Sequence, residues 1–235
     1  IYVEQDGHAF PYKTTAAFRV AAERHGARIR EGVRVLEIER ASHTWRVQTD
    51  RGRFEAPVLV NAAGAWGGEV AAMIGDPVPI EPVALMMMVT ARMSRWLGPT
   101  VGSMGRKLSF KQSESGTMVI GGGYRGVVHP ESELTSLDFA NLAASARTVG
   151  EMFPHMRDVD IVRCWAGIEG FTPDDIPYIG PSKASPDAYH SFAFCGHGFQ
   201  LGPVVGSITA ELILHGRSNL PIADFRIDRF QRPVA

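Results

Sequence analysis

Apolar residues recur along this chain at two periods, and the switches between them divide it. From residue 14 to 25 the positions Ala16, Ala17, Phe18, Val20 and Ala21 fit the stripe of an amphipathic helix, with Gly26 as its C-terminal cap. Alternation in Val33, Val35 and Ile38, then in Trp45, Val47 and Thr49, predicts paired strands with residues 50–53 as the next turn. The apolar run 56–63 reads as a parallel-sheet strand entering a glycine turn. Prolines 77, 79 and 82 then punctuate the chain. Beyond them, residues 84–90, 108–111 and 117–121 have the length and character of antiparallel strands. Helical spacing returns through Leu137, Ala140, Leu142, Ala144, Val149 and Phe153, and a last helix is expected over 204–215. Met86, Met87 and Met88 stand in a strand, where alternate residues face opposite sides, so core filling is preferred over a flexible binding surface.

Composition narrows the class. The chain has 235 residues, 45% of them hydrophobic and 21% charged, with a formal net charge of −1. Such a chain buries a full core, and its near-neutral charge gives no electrostatic case for nucleic acid or an anionic membrane. No stretch reaches the roughly 18 apolar residues needed to cross a bilayer. Two cysteines, Cys164 and Cys195, make neither a disulfide framework nor a metal spacing, and both are expected as buried free thiols in apolar strands. No metal site is predicted.

Three glycine-punctuated segments carry the candidate chemistry. The first is Val58-Leu59-Val60-Asn61-Ala62-Ala63-Gly64-Ala65-Trp66. The second is Arg163-Cys164-Trp165-Ala166-Gly167-Ile168-Glu169-Gly170-Phe171-Thr172-Pro173-Asp174-Asp175-Ile176-Pro177-Tyr178-Ile179-Gly180. The third is Cys195-Gly196-His197-Gly198-Phe199-Gln200-Leu201-Gly202-Pro203-Val204-Val205-Gly206. Glycines at 196, 198 and 202 let backbone approach a flat ligand, and the following helix offers unpaired N–H groups to electron-rich atoms. Gly121-Gly122-Gly123 ends a strand without leading into an apolar helix, so it reads as a strand end and not a phosphate loop. Asp174-Asp175 reads as turn and cap chemistry.

In this order the three segments, with Asp6-Gly7-His8-Ala9-Phe10-Pro11 before them and Phe225-Arg226-Ile227-Asp228-Arg229-Phe230 after, resemble the FAD-dependent amine and amino-acid oxidases of the D-amino-acid oxidase superfamily. The likeness is to the glycine oxidase and sarcosine oxidase branch. Within it the Gly-Ile-Glu-Gly and Gly-His-Gly-Phe-Gln-Leu spellings look most like opine oxidase and cyanide-forming glycine dehydrogenase catalytic subunits. The implied fold is mixed α/β: the C-terminal part of a Rossmann-like FAD-binding domain (segments 1–76 and 161–235) and an antiparallel-sheet substrate-binding domain (77–160). Such flavoenzymes begin with a βαβ unit carrying G-x-G-x-x-G between a strand and an apolar helix; that fingerprint does not occur here, because Gly121-Gly122-Gly123-Tyr124-Arg125-Gly126 has the spacing but leads into a polar stretch. With Ile1 matching the middle of a family member, the expectation is the C-terminal portion of a longer polypeptide, or a subunit whose dinucleotide-binding part is on another chain.

The resemblance implies roles residue by residue. Val35 would offer backbone groups to the adenine, while Ala62, Gly64 and Trp66 would line the adenosine and pyrophosphate path. Gly167 and Ile168 would approach the flavin ring. Gly196, Gly198, Phe199, Gln200 and Leu201 would donate to its pyrimidine edge, where a helix start near Leu201 stabilises negative charge on the reduced ring. No cysteine stands in the loop 169–172 that attaches flavin covalently in some sarcosine oxidases, so non-covalent FAD is implied.

Glu169 replaces the arginine that pairs with the substrate carboxylate in amino-acid oxidases of this group. It either contacts a cationic group of the substrate, which favours an opine-like secondary amine over glycine or another amino acid, or is a solvated or internally paired loop carboxylate. His197 is read either as an acid–base catalyst or as a flavin-adjacent structural residue, and Tyr124 as a wall of the substrate chamber. The implied reaction is oxidation of a C–N bond by hydride transfer to flavin N5, with the imine then hydrolysed. Oxygen, a quinone or a partner subunit is the electron acceptor. The expected location is the cytoplasm, or the periphery of the inner membrane through partner subunits. A non-catalytic subunit or fragment whose flavin site another chain completes is the alternative.

Overall fold

The computed structural model describes residues 1–5 and 7–230. Asp6, which opens the 6–11 motif, and residues 231–235 of the last segment lie outside the described residues. In chain order the regular elements are α1 (Pro11–Arg24), β1 (Val35–Ala41), β2 (Thr44–Thr49), β3 (Gly52–Ala56), β4 (Leu59–Asn61), α2 (Gly67–Ile74), β5 (Glu81–Arg92), β6 (Val101–Gly102), β7 (Ser109–Gln112), β8 (Thr117–Gly121), β9 (Val127–His129), β10 (Leu134–Ser136), α3 (Phe139–Met152), β11 (Ile161–Phe171), β12 (Tyr178–Pro181), β13 (Ala188–Phe192) and α4 (Gly198–His215). The fold is mixed α/β with several sheets.

The described residues form two compact units. Of these, residues 1–18 and 83–168 make one unit, and residues 19–82 and 169–230 the other. The first is built on a five-stranded sheet in the order β11-β5-β8-β7-β6, with antiparallel pairing of β5 to β8, β8 to β7 and β7 to β6. Met86 and Met88 are buried and Met87 half-buried, the alternation a strand imposes. They join Phe110, Met118, Ile120, Leu142 and Val149 in one core under α3. Asp138 starts α3 by accepting a hydrogen bond from the Asn141 N–H at 2.9 Å. The triple glycine closes β8: a side chain at Gly122 would stand 2.5 Å from the Leu108 backbone, so glycine here permits backbone packing.

The second unit has an antiparallel meander, β1-β2-β3, and a three-stranded sheet in which β13 pairs antiparallel with β12 and parallel with β4. Ile38, Trp45, Ile74 and Ala188 form one core of this unit, and Ile179, Val205, Ile208 and Leu212 seat α4 in another. Two helix ends share one device. Gly26 and Gly75 adopt φ of +91° and +103°, and the next residues, Ala27 and Asp76, each donate back across the last turn, to the carbonyls of Ala22 and Ala71.

Four local expectations differ from the structure. Helix α1 forms, but none of its residues is buried; spacing sets an apolar stripe without supplying anything to cover it. The strand expected over 56–63 is only β4, because Ala56 completes β3 and Pro57 has no N–H for a ladder. Helix α4 starts six residues before Val204, with Pro203 inside it; this near its N-terminus a proline forfeits only one intrahelical bond. Cys195 is buried as expected, but it lies in a left-handed turn after β13 and not in a strand, while Cys164 is half-buried.

Candidate active site

Between β13 and α4 the chain turns tightly. Ala193, Cys195 and Gly196 all have positive φ, of 59°, 52° and 87°. The turn is pinned to the end of β11: the Cys195 N–H donates to the Gly170 carbonyl at 3.1 Å, and the Thr172 N–H points to Cys195 Sγ at 3.4 Å. Thr172 Oγ1 donates on to the Ile176 carbonyl at 2.9 Å, fixing the start of the 172–176 turn. His197 is the N-cap of α4 and provides no side-chain cap. Among the described residues, the N–H groups of Gly198, Phe199 and Gln200 meet no acceptor, and the Leu201 N–H is the first to close a helical bond, to His197 at 3.2 Å. Gly196, Phe199 and Gln200 are exposed. Three free donors at the positive end of an 18-residue helix suit an electron-rich partner.

Glu169 lies at the end of β11, beside this turn. Burial pushes its carboxyl above the ordinary value, while the Gly196 N–H and the His197 ring pull weakly the other way.

A second turn, Gly64–Trp66, follows β4. Gly64 has φ +58°, and Ala62, Gly64 and Trp66 are exposed. Gly170 brings β11 against it: a Cβ at 170 would stand 3.1 Å from Ala65 Cα and from the Gly64 carbonyl. The structure thus assembles the 62–66 turn, the end of β11 and the 193–201 segment. A side chain built on Gly64 or Gly202 meets nothing within 4 Å, which leaves open space in front of both.

Val35 opens β1 in the separate meander and is partly exposed. Gly167, Ile168 and Tyr124 belong to the first unit. Gly167 is exposed and Ile168 half-buried, immediately before Glu169 on β11. The Tyr124 hydroxyl is 3.3 Å from Thr148 Oγ1, and its carbonyl accepts from Met86.

Reading the sequence missed two groups. Asn61, Asp76 and His190 form a buried polar chain behind the 62–66 turn, each about 2% exposed or less. Arg229 grips Asp174 with bonds of 2.8 and 2.9 Å. Gly75 before Asp76 signals a helix end but not a network, and nothing local marks His190.

The residues present fit one edge of FAD. The uncapped start of α4 presents free donors of the kind that the pyrimidine oxygens of a flavin accept, and the left-handed glycines 64 and 196 admit close backbone approach. No cluster able to hold a metal ion occurs among the described residues, and no helix there is long and apolar enough to cross a membrane.

A family model described as FAD dependent oxidoreductase matches residues 1–212. Among curated relatives, mitochondrial dimethylglycine dehydrogenase from Mus musculus is 27% identical over 98% of this chain and 28% of its own length. The hydrogen cyanide synthase subunit HcnC from Pseudomonas aeruginosa is 29% identical over 96% of this chain and 54% of its own. The crystal structure of L-proline dehydrogenase from P. horikoshii superposes with a TM-score of 0.88 at 31% identity, covering 95% of this chain and 60% of that one. The chain thus spans between about a quarter and three fifths of the proteins it matches.

Proposed function

The chain belongs to the FAD-dependent oxidoreductase family, and on that footing we propose that it forms the flavin-edge and substrate-binding part of an enzyme oxidising the C–N bond of an amine or amino acid. The observation that carries this reading is the uncapped start of α4, set behind a left-handed glycine turn with Glu169 beside it. Bound FAD would supply an acceptor for the hydride on the carbon next to the amine nitrogen. The N–H groups of residues 198–200 hold the pyrimidine edge and favour the added negative charge. Backbone at Gly167 and Ile168 approaches the ring, Val35 and the 62–66 turn serve the adenosine side, and attachment is non-covalent.

Glu169 selects the substrate. A carboxyl here repels a simple amino acid's carboxylate and attracts a cationic substituent, so an opine-like secondary amine is preferred and glycine or another amino acid comes next. His197 orients the substrate or takes its amine proton, and Tyr124 walls the chamber. The imine product then meets water.

A second reading has its own observation. No G-x-G-x-x-G leads from a strand into a helix here, since residues 121–126, which match that spelling, run from β8 into β9, and β4 is an edge strand of its sheet; both support a flavin site completed by another chain or segment. The subunit description of HcnC is compatible with such an assembly, with a quinone or a partner protein as acceptor.

Intact mass and a visible spectrum of the purified protein, before and after denaturation, separate the two. Flavin bands that are released on unfolding, followed by reduction with an opine faster than with glycine or proline, support the first reading. A colourless chain that acquires flavin only with a partner supports the second.

A further inference from the structure

Behind the 62–66 turn, three polar side chains are buried in series. The Asp76 carboxylate accepts from Ser182 Oγ, from the Lys183 and Ala184 N–H groups at 3.2 and 3.0 Å, and from His190 Nε2 at 3.0 Å. Burial works to raise the Asp76 carboxyl, but the hydrogen bonds from Ser182, His190 and Ala184 outweigh it and hold it below the ordinary value. Burial also lowers the His190 imidazole, against the pull of Asp76, so the ring is neutral. A carboxylate only accepts, so the hydrogen-bond network assigns the proton to Nε2 and leaves a lone pair on Nδ1.

That lone pair faces the Asn61 side-chain amide at 3.4 Å. The same amide nitrogen donates to the Gly67 carbonyl at 2.8 Å, and the Asn61 side-chain oxygen accepts from the Ala63 N–H at 3.2 Å. Turning the amide over would set its oxygen against two acceptors, the Gly67 carbonyl and Nδ1, and its nitrogen against a donor. The ring tautomer chosen by Asp76 therefore agrees with the orientation that Gly67 and Ala63 set for Asn61 and adds a third contact that holds the amide in place. Asn61 in turn bridges both ends of the turn, from Ala63 to Gly67.

We propose that Asp76 and His190 are positioning residues, which act through Asn61 to hold the 62–66 turn in the shape that receives FAD. The proposal rests on the reading that this turn faces the cofactor. The first link of the chain stabilises the unit as a whole, while the link from Nδ1 to Asn61 serves the turn alone.

Two substitutions at one position part these links. In His190→Asn the side-chain oxygen stands where Nδ1 was and still accepts from Asn61, but the bond to Asp76 is lost. In His190→Gln the amide nitrogen stands where Nε2 was and still donates to Asp76, but the acceptor for Asn61 is lost. Both variants of the full chain are measured for flavin dissociation constant and, after flavin removal, for amide hydrogen exchange at Ala63, Ala65 and Gly67. The expected result is that His190→Gln weakens flavin about tenfold, the loss of one hydrogen bond, and speeds exchange in the turn. His190→Asn melts at a lower temperature yet keeps both properties near those of the parent.

Equal effects of the two variants on the turn, or none from either, overturn the proposal. If neither variant folds, Asn61→Asp, which replaces the donating nitrogen by an acceptor, is expected to speed exchange in the same way, and unchanged exchange overturns it. Ser182→Ala, which removes a different donor to Asp76, is expected to lower the melting temperature while leaving flavin affinity alone; a matching loss of affinity overturns the assignment of the turn to His190. A parent protein that takes up no flavin removes the cofactor reading, and the exchange comparison still decides the positioning role.

Discussion

Arg229 holds Asp174 through two hydrogen bonds, of 2.8 and 2.9 Å, while its guanidinium lies 4.1 Å above the centre of the Tyr178 ring. The planar fork matches the carboxylate and stacks at the same time, a pairing lysine does not reproduce. These bonds draw the Asp174 carboxyl from 3.8 down to about 2. A depressed folded value means that the contribution is complete above pH 3.8 and is lost as pH falls towards 2. Arg229→Lys is expected to destabilise by about 2 kcal/mol at neutral pH and to flatten the stability profile between pH 4 and 2. Denaturant unfolding at stepped pH checks both.

Gly67 starts α2 with no room for a side chain. A Cβ there would stand 2.2 Å from the buried Phe192 ring. Gly67→Ala is expected to cost about 1–3 kcal/mol through overpacking. Gly67→Ala combined with Phe192→Leu is expected to recover part of that loss, as a thermal melting series of the single and double variants shows.

Burial of the Glu169 carboxyl works against stability at neutral pH. Its folded carboxyl titrates above its ordinary 4.5, so the native state binds the proton more tightly, and stability from this group is greatest below pH 4.5 and falls as pH rises through the folded value. Glu169→Gln is therefore expected to raise the melting temperature at pH 7 and to leave it nearly unchanged at pH 4. On the proposed function it also raises KM for a cationic amine several-fold with little change for glycine. Melting curves at the two pH values and a two-substrate comparison test the pair of outcomes.

Flavin is expected to leave the protein on acid precipitation. No cysteine stands in the 169–172 loop, and the Cys195 thiol is buried and donates to the Ala193 carbonyl at 3.2 Å. A yellow pellet with a colourless supernatant would contradict this.

Local elements were the legible part of the sequence. Gly26, placed as a cap from spacing alone, closes α1 as expected, and helix α3 lies within two residues of its expected ends. The alternation of Met86, Met87 and Met88 appears directly as burial. Glycine spelling located the turns at 64 and 196 because positive φ selects that residue. What spacing did not reveal depends on partners distant in sequence. The last helix, expected over 204–215, begins at Gly198 and takes in Pro203. The exposed stripe of α1 depends on neighbours and not on its own residues, whereas Pro57 inside the apolar run already marked the short β4. Asp76 and His190 meet only because Gly75 throws the chain out of α2 beneath β13, and neither carries a local mark.

Asn61 and His190, paired across the parallel strands β4 and β13, are 129 positions apart in the chain. Closing so long a loop is slow, because ordering entropy is spent before the contact forms. During synthesis β4 emerges and waits for β13, with all of residues 83–168 made in between. That inserted segment is free to fold first, and until β13 arrives β4 is an unpaired apolar edge open to association with other chains. The parallel pairing thus sets an order of assembly and marks the interval in which a nascent chain most needs protection.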